Sequence, residues 1–132
     1  MPPNPSSVIR HPHLGVLSGA DGLWSGCIRL HDRDIPFLVA GTEARPEPHL
    51  LDSLLDLLTK FNDLEASALQ FLCPPNPPVA VKPGDFTFQS FDLLWPEKPE
   101  CFTFEFALEG DDGAIWRVEF HDGQPNYTGR DD

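Results

Sequence analysis

The feature that most constrains this chain is a pair of segments in which every second residue is large and apolar. Phe102, Phe104, Phe106 and Leu108 alternate with Thr103, Glu105 and Ala107. Trp116, Val118 and Phe120 repeat the pattern with Arg117, Glu119 and His121 between them. A period of two puts one set on each face of a strand, so both segments read as half-buried strands. Their apolar face, extended by Phe86 and Phe88, needs a cover. Residues 46–72 supply one: Leu50, Leu51, Leu54, Leu55, Leu58 and Phe61 follow the i, i+3, i+4 spacing of an amphipathic helix. Asn62 and Glu65 have the residue types of a capping box, which predicts two helices, near 47–61 and 63–72. The second is expected to bury Leu64, Ala68, Leu69 and either Phe71 or Leu72.

Further strands flank the helices. Residues 14–17 form a short one, and Trp24, Gly26, Ile28 and Leu30 alternate with polar residues. Ile35, Phe37 and Val39 resume the alternation after a tight turn at Asp32-Arg33. The register expected from that turn sets Leu30 opposite Ile35 and Ile28 opposite Phe37, keeping both apolar sets on one face. Downstream, Phe86 and Phe88 are out of phase with Phe91, Leu93 and Trp95, so a bulge is expected near Gln89-Ser90. Asp122-Gly123 reads as a hairpin turn into a last strand at 126–129. The expected fold class is α+β: antiparallel sheet or sheets with two helices packed on one face, in the order β-β-β-α-α-β-β-β-β. At 132 residues there is room for one core. Residues 1–12 are expected to be a disordered, proline-rich tail and residues 13–132 a single domain.

The charge is unevenly placed. Residues 1–45 carry four acids against four arginines, whereas residues 83–132 carry twelve acids against Lys98, Arg117 and Arg130, a local net of −9 out of −12. That sign argues against nucleic acid and anionic membranes as partners, because phosphate binding needs the opposite charge. It suits a basic protein partner or plain solubility. No apolar run approaches the ~20 residues of a membrane span, no secretory leader is evident, and the three cysteines, Cys27, Cys73 and Cys101, form no disulfide framework. The expected compartment is the cytoplasm.

Chemistry-bearing motifs are sparse. A register expected across Gly110-Asp111-Asp112-Gly113 sets Glu105 opposite Glu119, Ala107 opposite Arg117 and Thr103 opposite His121. Three readings of this face stand open. It is a solvated surface screened by Arg117, an acidic recognition face for a cation, or a catalytic carboxylate pair working with His121. Asp111 and Asp112 belong to the same acidic end. Trp95, bracketed by prolines in Leu94-Trp95-Pro96-Glu97-Lys98-Pro99, is a candidate contact anchor. His11 and His13 lie outside the periodic segments, and Cys27 with His31 is only half of a zinc site. No metal and no cofactor are therefore expected, and no catalytic residue is assigned: the chain lacks GxSxG, HExxH, Walker and GxGxxG sequences.

Several segments taken together carry a resemblance: His13-Leu14-Gly15-Val16-Leu17, Leu23-Trp24-Ser25-Gly26-Cys27-Ile28-Arg29-Leu30, Ile35-Pro36-Phe37-Leu38-Val39, the two-helix region, and the closing Val118-Glu119-Phe120-His121-Asp122-Gly123-Gln124-Pro125. The chain resembles small bacterial single-domain proteins of unknown function, some of which accompany secreted toxins as immunity proteins. The resemblance implies an antiparallel sheet with helices on one face and a role in binding. The functional expectation is an acidic cytosolic protein that neutralises a basic toxin by occlusion, with Glu105, Glu119, Arg117, His121, Asp111, Asp112 and Trp95 as the residues involved. The alternatives are an acidic homodimeric secretion chaperone for an effector, and a small enzyme.

Overall fold

Three two-residue turns, each with both central residues at positive φ, set the hairpins of this sheet. They are Asp21-Gly22 (φ 56° and 79°), His31-Asp32 (47° and 66°) and Asp122-Gly123 (51° and 78°). Such turns match the right-handed twist of the strands they join, and glycine, aspartate and histidine tolerate the left-handed region better than most residues. The computed structural model describes residues 7–73 and 83–131. It contains β1 (Ser7–His11), β2 (Gly15–Ala20), β3 (Leu23–Leu30) and β4 (Arg33–Ala40), then α1 (Pro48–Leu58) and α2 (Phe61–Leu72). A 3-10 turn at Pro83–Asp85 leads into β5 (Phe86–Leu93), β6 (Cys101–Leu108), β7 (Ile115–His121) and β8 (Gln124–Asp131). No described helix is long and apolar enough to cross a membrane.

All eight strands form one sheet in sequential order. Every pairing is antiparallel except β4 with β5, where Phe37, Leu38 and Val39 run parallel to Phe91, Asp92 and Leu93. The sheet is therefore mixed rather than wholly antiparallel. The helical segment is the crossover that parallel neighbours require. The strand order also differs from expectation. Ser7–His11, expected to lie in a disordered tail, is β1 and pairs with β2, so four strands precede the helices. Residues 1–6 of that tail, and the proline-rich connection at 74–82, lie outside the described residues.

Both hairpin registers differ from expectation by two residues. Across β3 and β4, Ile28 faces Ile35, Gly26 faces Phe37 and Leu30 faces Arg33. The turn is His31-Asp32 rather than Asp32-Arg33, because arginine is poorly suited to the left-handed conformation the turn demands. A shift of two preserves which face each side chain occupies, so the apolar set is unchanged while the partners are not. The bulge falls where the phase change places it, between Phe88 and Ser90.

The apolar rows meet the helices in one core. Trp24, Phe37, Val39, Phe91, Phe104, Val118 and Phe120 share a buried cluster with Leu50, Leu54 and Leu58 of α1 and Phe61, Leu64 and Ala68 of α2. Phe61 contacts three sheet aromatics, with ring centroids 5.0 Å from Phe88, 6.4 Å from Phe91 and 5.5 Å from Phe104. Phe61 opens α2 rather than closing α1, and no capping box forms: Lys60 is the N-cap and has no side-chain capping bond. Glu65, expected in that box, instead accepts two hydrogen bonds of 2.7 Å from Arg33 at the start of β4. The Arg33 guanidinium also lies 5.4 Å from the Phe61 ring centre, tying α2 to the hairpin. At the end of α2, Leu72 packs against the core and Phe71 is exposed.

Candidate functional site

The polar face of β5–β8 is laid out in two neighbouring rows. One runs Leu38, Asp92, Thr103, Glu119, Tyr127, and the next runs Ser90, Glu105, Arg117, Gly129. Glu105 thus stands opposite Arg117 and not opposite Glu119, which faces Thr103 and Tyr127. His121 stands opposite Cys101 rather than Thr103. The expected carboxylate pair of Glu105 and Glu119 does not form. The turn between β6 and β7 centres one residue nearer β6 than expected, on Asp111, which moves the register by two.

A different carboxylate pair takes its place. Asp92 is 3% exposed although it sits among polar neighbours. Its carboxyl accepts a short hydrogen bond from the Ser90 hydroxyl. It also lies in hydrogen-bond contact with Glu105, one row away. Burial lifts the Asp92 pKa to about 7; the Glu105 carboxyl adds to the rise, while Ser90 and the Arg117 charge oppose it. Two carboxyl groups held together in a buried place share a proton more readily than they both ionise. Arg117 lies beside Gly129 of β8 and pairs with Asp131 through Nη2 (3.3 Å) and Nε (3.0 Å). The Nε contact lies off the N–H direction, leaving that buried atom without an in-line acceptor among the described residues.

Beside this row, the end of the sheet and the β5–β6 connection enclose a pocket of about 250 Å³. It is lined by Trp95, Lys98, Cys101, Glu119, Phe120, His121, Asn126 and Tyr127. His49 on α1 bonds the Pro96 carbonyl and holds the connection against the helix. Lys98 N–H donates to the Trp95 carbonyl and Cys101 N–H to the Lys98 carbonyl (both 3.0 Å), so the segment carrying Trp95 is tightly turned. Trp95 is half-buried, lending one wall to the pocket. Burial raises the pKa of the Cys101 thiol, and Glu100, Asp122 and Glu119 push it in the same direction against Lys98.

The sequence-assigned residues therefore divide into three groups. Trp95, Glu119 and His121 come together in the pocket, and Glu105 and Arg117 share the adjacent row. Asp111 lies elsewhere, clasping Arg130 through two hydrogen bonds (2.8 and 2.7 Å) and accepting one from Trp116 Nε1 (2.8 Å). Arg130 first, then Trp116, holds its pKa down at about 2, so Asp111 fastens this loop to β8. Asp112 is exposed in that loop. Sequence reasoning missed Asp92, Ser90, Cys101 and Tyr127. Asp92 alternates with Phe91 and Leu93, so its place on the polar face was legible, but nothing local announces its burial.

No family model, no curated protein and no solved structure matches this chain.

Proposed function

We propose that this protein is a small acidic binding protein of the immunity type, which neutralises a cationic partner protein by covering its working surface. With the helices on one face of the sheet, the strands and connections of the C-terminal half are left to meet the partner. One observation carries the reading. Among the described residues, Glu97, Glu100, Glu109, Asp112 and Glu119 have no basic side chain within ion-pair distance. Asp34, Glu65 and Asp56 are matched by Arg29, Arg33 and Lys60, whereas Asp21, Asp32, Glu43, Asp52 and Asp63 also have no basic partner at ion-pair distance among the described residues, so what distinguishes residues 83–132 is their net charge of −9. Unmatched charge of one sign costs a protein some self-repulsion, and it is of use to a surface that meets the opposite sign. The half-buried Trp95 beside these acids supplies an aromatic anchor.

The test is co-expression with the cationic product of a neighbouring gene. The expected result is relief of that product's toxicity and a stoichiometric complex, weakened when Glu97, Glu100 and Glu119 are changed together to lysine. Normal binding by the triple variant would overturn the reading. So would capture of only an unfolded effector segment, which would instead place the protein among secretion chaperones.

A further inference from the structure

We propose that Glu100, Cys101 and His121 form a zinc-binding centre whose fourth coordination position opens on the pocket beneath Trp95. One ligand atom from each of the three side chains lies within 4.8 Å of the others. Zinc holds sulfur at about 2.3 Å and nitrogen or oxygen at about 2.0–2.2 Å, so small side-chain rotations bring these atoms onto one tetrahedral ion. The backbone already fixes the arrangement. Cys101 and His121 are direct partners across β6 and β7, on the same face of the sheet. The Asp122 N–H donates to the Glu100 carbonyl (3.1 Å), so the ladder reaches the third ligand.

The surroundings suit a soft divalent cation. A thiolate, an imidazole and a carboxylate form a donor set that favours zinc over magnesium or calcium, which prefer all-oxygen sites. His121 Nδ1 lies 3.5 Å from Asp122 Oδ2, a carboxylate placed to orient the ring while the other nitrogen ligates. Glu119 lines the same pocket, and Lys98 is its basic residue. Zinc binding would displace the Cys101 thiol proton, and the cation would then hold the thiolate and the Glu100 carboxylate side by side. Three protein ligands leave one position for water or a small donor, with Tyr127 and Trp95 among the pocket walls. Glu100 and Asp122 also line a groove of about 440 Å³ beside α1 and α2, so the centre is reached from solvent. The centre shares Glu100 with the acidic surface proposed above, but metal binding is read without any partner protein, so the two readings fail separately.

Cobalt(II) substitution under reducing conditions tests it, because a cobalt–thiolate bond gives a charge-transfer absorption that histidine and carboxylate sites lack. One equivalent of cobalt on the full chain should produce that band, and zinc should displace it. Cys101→Ser should abolish the band. His121→Gln, at an exposed position, should weaken cobalt and zinc binding at least about tenfold with the circular dichroism unchanged. Cys27→Ser and a His11→Gln, His13→Gln double variant should bind as the parent does. Absence of the band, a band that survives Cys101→Ser, or zinc affinity untouched by His121→Gln would overturn the assignment.

Discussion

Asp92 and Glu105 hold their carboxyl groups in contact although they are not register partners: Asp92 faces Thr103, and Glu105 faces Ser90 and Arg117. The pair sits beside a bulge, which turns β5 locally and brings side chains from neighbouring rows together.

The first consequence is a pH dependence of stability. In the unfolded chain Asp92 ionises near 3.9, whereas in the folded protein it does so at about 7. Below pH ~4 both states are protonated and the group has no effect. Between those values the unfolded chain has lost the proton that the folded protein keeps, so stability falls as pH rises, and the loss is complete above about 7. Asp92→Asn removes this dependence and still accepts from Ser90. Relative to the parent, the variant should gain about 2–4 kcal/mol between pH 4 and pH 8 in urea unfolding.

Arg117 is the cation of this row. Arg117→Gln should destabilise the protein by about 1 kcal/mol at pH 7, a modest figure because the side chain is partly solvated. It should also raise the Asp92 titration further, read by carboxyl NMR. An unchanged Asp92 titration would show that the guanidinium does not act on the pair.

Glu119 has no opposed carboxylate, since it faces Thr103 and Tyr127. Glu119→Gln should therefore change stability by less than about 0.5 kcal/mol. Its effect should appear in partner association. A clear stabilisation would restore the alternative register.

Gly26 stands opposite Phe37, and a Cβ built there would lie 2.5 Å from the tip of that ring. Phe37 is fully packed, so it has little room to retreat. Gly26→Ala should cost about 1–3 kcal/mol, measured by urea or thermal unfolding. Gly19 makes the same allowance for the Trp24 ring, and its alanine variant should behave likewise.

Much of the sheet was legible because alternation in Phe102, Phe104, Phe106, Val118 and Phe120 determines which face each residue occupies. Registers were not, because alternation fixes only parity: a slip of two residues leaves every apolar side chain on the right face. Turn chemistry carried the missing information at His31-Asp32, where the left-handed residues identify the centre. The parallel contact of β4 with β5 joins segments separated by both helices, and no local pattern reports it. β1 was hidden by the prolines around it. The pocket's walls come from the β5–β6 connection, β6, β7 and β8, so Trp95, Glu119 and His121 were found singly, and their meeting was not.

The most direct test of the binding proposal is the association rate with the identified cationic partner, measured by stopped flow as salt is raised from ~50 to ~500 mM. The Debye length shrinks about threefold over that range. If the unmatched acids of the C-terminal half steer the encounter, the rate should fall by about tenfold or more, while the Glu97, Glu100 and Glu119 lysine variant should associate slowly at every salt concentration. A parent rate indifferent to salt would contradict an acidic binding surface.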